Sequence, residues 1–393
     1  MLPVSKRMAA VKPSPTGAVL SLAAELRAAG RDIISLGAGE PDFDTPLHIQ
    51  DAAIEAIRGG QTRYTPTDGT AELKTAIQAK FARENQLEYE LSQIVVTCGA
   101  KQALFNLCVG LLGPGDEAII PAPYWVSYPD MVRLAEAEPI AIDTGIEQDF
   151  KITPKQLESA ISGRTRLLIL NSPSNPTGAS YTRAEFEKLG AVLERHPGIV
   201  VVSDDIYEHI HWAEEPFASF ATACPALRDR TVTTNGVSKA YAMTGWRIGY
   251  AAGPQELITA MTTIQSQSTT NPCSVSQAAA VAALNGDQTC VRDMTAAYKE
   301  RHDYIVDALN QFDGIECRPG EGTFYAFARI EELLHARGMA SDVEFVELLL
   351  NKADLACVPG SAFGATGYVR LSFACSMEML EESVRRIKRA LMA

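Results

Sequence analysis

Between residues 94 and 252, short β-branched runs alternate with helical stretches, and this alternation restricts the fold more than any other feature of the chain. The runs fall at 94–97, 117–121, 166–170, 199–203, 231–235 and 248–252, with amphipathic helical spacing at 101–112 and 183–195. Strands interleaved with helices predict a largely parallel sheet covered on both faces. Beyond about 290 the pattern changes to a long charged helix (291–310), short strands at 315–317 and 324–328, and a helix at 342–352. A strand pair near 355–358 and 368–373 and a closing helix at 377–392 complete a smaller α+β unit. A chain of 393 residues exceeds what one core ordinarily fills. The expected division is an N-terminal segment, 1–45, lying on the small domain, a large domain, 46–290, and a small C-terminal domain, 291–393.

A net charge of −13 argues against a nucleic-acid or membrane-surface partner. No apolar run reaches the length a bilayer needs, and residues 1–17 lack a signal-peptide core. Eight cysteines without a C-x-x-C pair predict reduced thiols and a cytoplasmic setting. His209 and His211 are two apart, and with no third ligand beside them in the sequence no metal site is expected.

Ligands of an open α/β sheet bind beyond the carboxyl ends of its strands. After 166–170 comes Asn171-Ser-Pro-Ser-Asn175-Pro-Thr-Gly178; after 199–203 comes Asp204-Asp-Ile-Tyr207. After 231–235 comes Gly236-Val-Ser238-Lys239-Ala-Tyr-Ala-Met-Thr244-Gly245-Trp246-Arg247. Three strands thus end in an amide, a carboxylate with a phenol, and a lysine with an arginine. Singly, these are ordinary: a turn, a helix cap, a solvated lysine. Together they form the set a carbonyl cofactor needs, namely an amine, an acid for a ring nitrogen and a partner for a phenolate. Small residues around Lys239 permit close approach to the backbone, and Arg247 can pair bidentately with a phosphate. A desolvated, cation-rich pocket would take the proton off that lysine near neutral pH.

Asn-Pro-Thr-Gly, Ser-Asp-x-Ile-Tyr-Glu and Ser-Lys-x-x-x-Met-x-Gly-Trp-Arg-x-Gly-Tyr resemble the class I/II aminotransferases, fold type I of the pyridoxal-phosphate enzymes. The chain is most similar to bacterial aspartate aminotransferases of subgroup Ib. The likeness runs through Lys12-Pro-Ser-x-Thr16, Gly37-Ala-Gly39-Glu-Pro-Asp-Phe-Asp-Thr-Pro, Gly99-Ala-Lys101-Gln-Ala-Leu, Pro123-Tyr-Trp125-Val-Ser-Tyr-Pro and Val369-Arg370-Leu-Ser. It implies a large domain with a mostly parallel seven-stranded sheet and a smaller α+β domain, with pyridoxal 5′-phosphate as cofactor. Position by position it implies that Lys239 holds the cofactor as an imine and shuttles the proton. Asp204 would face the pyridinium nitrogen, Tyr207 and Asn175 the ring oxygen, and Trp125 the ring face. Gly99, Ala100, Lys101, Ser238 and Arg247 would hold the phosphate, joined by Tyr64 crossing from a partner subunit of a homodimer. Arg370, with Gly39, Asn175 and Trp125, would hold the substrate carboxylate.

Departures from the family pattern bear on specificity. Asp205 stands where many relatives have Glu, expected to be a surface-like change. Gly236 replaces a serine that other subgroups use on the phosphate. No Lys or Arg occurs between Arg247 and Arg292, where another subgroup places its side-chain arginine. A second carboxylate would therefore fall to Lys101 with Thr16 and Lys12. The implied activity is transamination between aspartate or glutamate and a 2-oxo acid, with prephenate as a further acceptor. An aromatic amino acid aminotransferase or a β-lyase on the same scaffold is the alternative.

Overall fold

The computed structural model describes residues 4–11 and 15–392. Its strands are β1 (Ile34–Ser35), β2 (Ile94–Thr97), β3 (Glu117–Ala122), β4 (Glu138–Asp143), β5 (Thr165–Asn171), β6 (Val200–Asp204) and β7 (Thr231–Gly236). They continue with β8 (Gly249–Ala252), β9 (Glu316–Cys317), β10 (Tyr325–Arg329), β11 (Leu355–Ala356), β12 (Val358–Pro359) and β13 (Tyr368–Ser372). A seven-stranded sheet runs β2-β8-β7-β6-β5-β3-β4. All its pairings are parallel except those of β8, which lies antiparallel to both β2 and β7.

Both faces of this sheet are covered, which is why inner strands such as β5 and β6 carry runs of consecutive apolar residues. Leu167 and Ile169 pack with Leu104, Leu107 and Met261 on one side; Leu168 and Leu170 pack with Phe186 and Leu189 on the other. Edge strand β4 is different. Only Ile142 in Glu138–Asp143 is buried, and its short Pro-Ile-Ala-Ile run, opened by a proline, is not among the expected strands; pairing with β3 defines it.

The second sheet, β12-β13-β10-β9, is antiparallel. Helices Thr289–Leu309, Asp342–Ala353 and Met377–Met392 pack on it through Tyr298, Phe345 and Leu380, against Phe324, Leu371 and Phe373. The single strand expected near 355–358 is split in two. β11 pairs parallel with β1, while β12 pairs with β13. Pro359 has no N–H to give a second neighbour, which suits β12 to the sheet edge. The early chain is stitched to the late chain further by Arg31 Nε donating to Asp354 Oδ1 (2.7 Å) and Ser372 N donating to the Leu36 carbonyl (2.6 Å).

Candidate active site

Register brings the strand-end residues together. Asn171 pairs with Asp204 across β5 and β6, and Asp204 pairs with Thr234 across β6 and β7. Asn171 Nδ2 donates to the Asp204 carbonyl (2.8 Å), and Asn171 Oδ1 accepts from Asn175 N (2.8 Å), so one amide orders two loops. Beyond these ends lies a cavity of about 500 Å³, lined by Gly39, Ala100, Lys101, Trp125, Asn175, Asp204, Tyr207, Ser238, Lys239, Arg247 and Arg370 among others.

Lys239 Nζ donates to the Gly39 carbonyl at 2.5 Å. Loss of water around the amine lowers its pKa to about 8; Arg247 and Arg370 push the same way, against Glu40 and Asp204. Asp204 is buried, and burial raises its pKa to about 6 despite the Tyr128 hydroxyl donating at 2.6 Å, the Ile206 amide and the Lys239 charge. The amine is thus partly free of its proton near neutrality, while the acid titrates only one to two units below it.

One end of the cavity is built for an anion. Helix Ala100–Leu111 starts behind Gly99, whose φ of +83° suits only glycine without strain, and a Cβ there would lie 2.2 Å from Arg247 Nη2. A Cβ on Gly249 would lie 2.1 Å from the Ala100 nitrogen, so β8 approaches this helix start without a side chain between. First-turn amides, the helix dipole and the Arg247 guanidinium converge there. Arg247 itself has φ +56° and donates to the Thr244 carbonyl (2.8 Å). Lys101 sits 4.8 Å from the Trp125 ring centre, and burial, with Arg247 beside it, lowers its pKa.

At the other end Arg370 is 2% exposed. Its Nη1 donates to Asn175 Oδ1 (2.9 Å) and its Nη2 to the Gly37 carbonyl (2.8 Å). Its Nε has no partner among the described residues. A helix start facing a guanidinium, a lysine of lowered pKa, a buried acid and a fixed second guanidinium therefore share one cleft.

Residues 31–387 match the family described as Aminotransferase class I and II. The chain belongs to that family. It is 56% identical over 390 residues to the aspartate/prephenate aminotransferase of Nitrosomonas europaea, covering 98% of each chain. It is 53% identical to that of Cereibacter sphaeroides, again covering 98% of each. In structure it is similar to the aspartate aminotransferase of Rhizobium meliloti (TM-score 0.95, 46% identity, covering 100% of this chain and 99% of that one). The Thermus thermophilus aspartate aminotransferase with maleate gives a TM-score of 0.93 at 42% identity, covering 99% of this chain and 100% of that one.

Not every expected residue of this aminotransferase lines the cleft. Tyr64 is 91% exposed, on the loop between helices Leu47–Arg58 and Ala71–Lys80, outside the cavity of its own chain. Helix Pro15–Ala28 brings Gly17 to the cavity, but the Thr16 side chain and Lys12 lie outside the described residues.

Asp205 is not a surface position. It is 1% exposed, accepts from Ser203 Oγ (2.6 Å), and burial raises its pKa to about 7. The reason is that β6 ends in the middle of the sheet, where both neighbours of a strand-end residue are protein. The histidine pair also differs from expectation: Glu84 and Glu208 gather around His209, while His211 does not join them. Lys80, with no exposed surface, bridges these carboxylates and donates to Asn85 Oδ1 (2.7 Å), and Arg83 pairs with Glu84, so two cations already face the two carboxylates.

Sequence reasoning missed Tyr128, Tyr325, Glu40, Asn171 and Thr244 as cavity residues. Tyr128 stood inside a quoted motif and Tyr325 inside an expected strand. Only three-dimensional pairing shows that one meets Asp204 and the other meets Tyr207 (2.9 Å between hydroxyls).

Proposed function

We propose that this aminotransferase uses pyridoxal 5′-phosphate to move the amino group of a dicarboxylic amino acid, aspartate or glutamate, to a 2-oxo acid, with prephenate as a further acceptor. The observation that carries the reading is the convergence of Lys239, Asp204, the Gly99–Arg247 anion cradle and Arg370 on one cavity. These residues suit the cofactor. The cradle has no room for a Cβ at Gly99 or Gly249, Asp204 is a buried acid for a ring nitrogen, and Lys239 is an amine with a depressed pKa. Tyr207 and Asn175 would face the ring oxygen, Trp125 the ring, and Ser238, Ala100 and Lys101 the phosphate.

When bound, such a cofactor withdraws electrons from the substrate Cα and lets its proton leave. Lys239 supplies the amine that would take that proton and return it to the carbon across the substrate nitrogen, two atoms away. Asp204 keeps a positive charge favourable at the far side of the ring. Arg370 fixes the substrate carboxylate by the edge that includes its unpartnered Nε, which orients the Cα–H bond toward Lys239.

The substrate class is supported by the printed names of the relatives, by the maleate held by the Thermus thermophilus relative, and by Lys101 at the cavity wall. Homodimerisation with shared sites is supported by Tyr64, an aromatic 91% exposed, beside Leu47 (75%) and Ile57 (56%) on the preceding helix. The same reading makes 46–290 the cofactor domain and 291–393 the small domain, with 1–45 lying on the latter.

A half-reaction decides the activity. Enzyme loaded with pyridoxal 5′-phosphate and given aspartate alone should release one equivalent of oxaloacetate per site and stop, then turn over once 2-oxoglutarate is added. Continuous release of pyruvate or ammonia without an acceptor would identify a lyase, and faster reaction with phenylalanine than aspartate would identify an aromatic enzyme. A charge-assisted hydrogen bond is worth roughly 1.5–3 kcal/mol, so Lys101→Ala should cut kcat/KM for aspartate by about ten- to a hundredfold. It should change alanine far less; equal losses would assign Lys101 to the cofactor alone.

A further inference from the structure

Tyr325 is buried and touches Tyr207 and Arg370 at once. Its hydroxyl lies 2.9 Å from the Tyr207 hydroxyl, and its ring centre lies 4.3 Å from the Arg370 guanidinium carbon. The sheet dictates this placement. β10 and β13 pair antiparallel with Phe327 opposite Arg370 and Tyr325 opposite Ser372. Tyr325 is two residues from Phe327, so it shares the face of Arg370 and reaches it along the diagonal. Phe363 also lies against the guanidinium, its ring centre 4.8 Å from the same carbon. A Cβ on Gly39 would lie 2.7 Å from the Tyr325 hydroxyl, so the segment that receives the Lys239 hydrogen bond is shaped around this phenol as well.

A phenol has one proton to give. In the cofactor reading above, on which this inference rests, the Tyr207 proton goes to the cofactor's ring oxygen. The Tyr207–Tyr325 contact can then run in one direction only, with Tyr325 donating. Arg370 stacked on the Tyr325 ring draws electron density from that phenol and makes it the better donor. A hydroxyl that accepts a hydrogen bond donates its own more strongly. We propose that Tyr325 is a positioning residue with two separable parts: its ring braces Arg370 for the substrate carboxylate, and its hydroxyl donates to Tyr207 and aims the Tyr207 proton at the cofactor. The charges whose fields reach this pair of phenols are Arg370 and, at Tyr207, Asp204.

The test uses Tyr325→Phe, which keeps the ring and removes the hydroxyl, and Tyr325→Leu, which removes both. Three quantities in two groups are read by absorption, and none is turnover. The first is the pH midpoint of the bound cofactor's visible band together with the dissociation constant of pyridoxal 5′-phosphate. The second is the dissociation constant of succinate, titrated through the same band. A donor to the ring oxygen stabilises negative charge there and favours the deprotonated chromophore, so a weaker donor moves the midpoint to higher pH. Tyr325→Phe is expected to raise the midpoint and to weaken cofactor binding by about two- to tenfold, the worth of one neutral hydrogen bond. With the ring kept over Arg370, succinate affinity should stay within about twofold in that variant. Tyr325→Leu should lose succinate affinity too; should it fail to fold, the Phe variant decides alone. An unchanged midpoint in Tyr325→Phe, or succinate affinity lost as strongly as cofactor affinity, overturns the inference while leaving the function standing. Absence of the band in the unsubstituted enzyme overturns both.

Discussion

Lys239 and Asp204 owe their titration to burial, in opposite senses. Burial disfavours charge, so the amine moves down to about 8 and the acid up to about 6. Below about pH 8 the neutral fraction of such an amine falls tenfold per unit, and above it the fraction saturates. Capture of pyridoxal 5′-phosphate by cofactor-free enzyme should therefore rise with pH and level off above 8, followed by borohydride trapping on Lys239. A rate still climbing toward pH 10, as for an ordinary lysine near 10.4, would refute the depressed pKa. Asp204 is held down by the Tyr128 hydroxyl, and removing that donor in Tyr128→Phe should raise its pKa further. A hydrogen bond to a charged group is worth roughly 1.5–3 kcal/mol, so the acid limb of kcat should move up by about one to two pH units. An unmoved limb would mean that Tyr128 is only packing. At this scale the sequence showed the residues that follow strands, because strand ends are where ligands meet an α/β sheet. It did not show Tyr128 or Tyr325, since a side chain's partner across 76 or 118 positions leaves no periodic trace.

The element that most shapes the cleft is the start of helix Ala100–Leu111. Gly99 joins a positive φ to a space already filled by Arg247, so Gly99→Ala strains the backbone and displaces the guanidinium together. Holding a residue with a Cβ at φ +83° and ψ 157° costs roughly 1–3 kcal/mol. Losing the charged phosphate contact should weaken cofactor binding by about ten- to a hundredfold. Fluorescence titration with pyridoxal 5′-phosphate, beside a melting curve, separates the two effects; lost stability with unaltered affinity would remove Arg247 from the cradle. Elements with β-branched or strongly amphipathic text, such as β2, β6 and helix Met377–Met392, were readable to within a residue. β4 and the β11–β12 break were not. An edge strand buries too little, and a two-residue strand is defined by its partner and not by its own composition.

On the scale of the molecule, Tyr64 is a phenol that its own chain leaves in solvent, a fact no single sequence displays. Mixing Tyr64→Ala enzyme with Lys239→Ala enzyme should restore activity, because half the mixed dimers' sites combine an intact Lys239 with the other chain's intact Tyr64. After equal mixing and full exchange about a quarter of all sites should be whole. Activity no higher than that of the parents would confine Tyr64 to its own subunit.

The Arg370 clamp has a consequence for synthesis. Its guanidinium is held by a carbonyl 333 positions earlier, and the strand pairing that seats Gly37 joins Ile34 to Leu355. Such contacts cannot form before the later partner, near residues 355–370, has been synthesised. A chain emerging from the ribosome can complete its large sheet and still be unable to retain a carboxylate. Competence arrives with the last strand, so a prematurely terminated product would be inert toward metabolites and would not drain them.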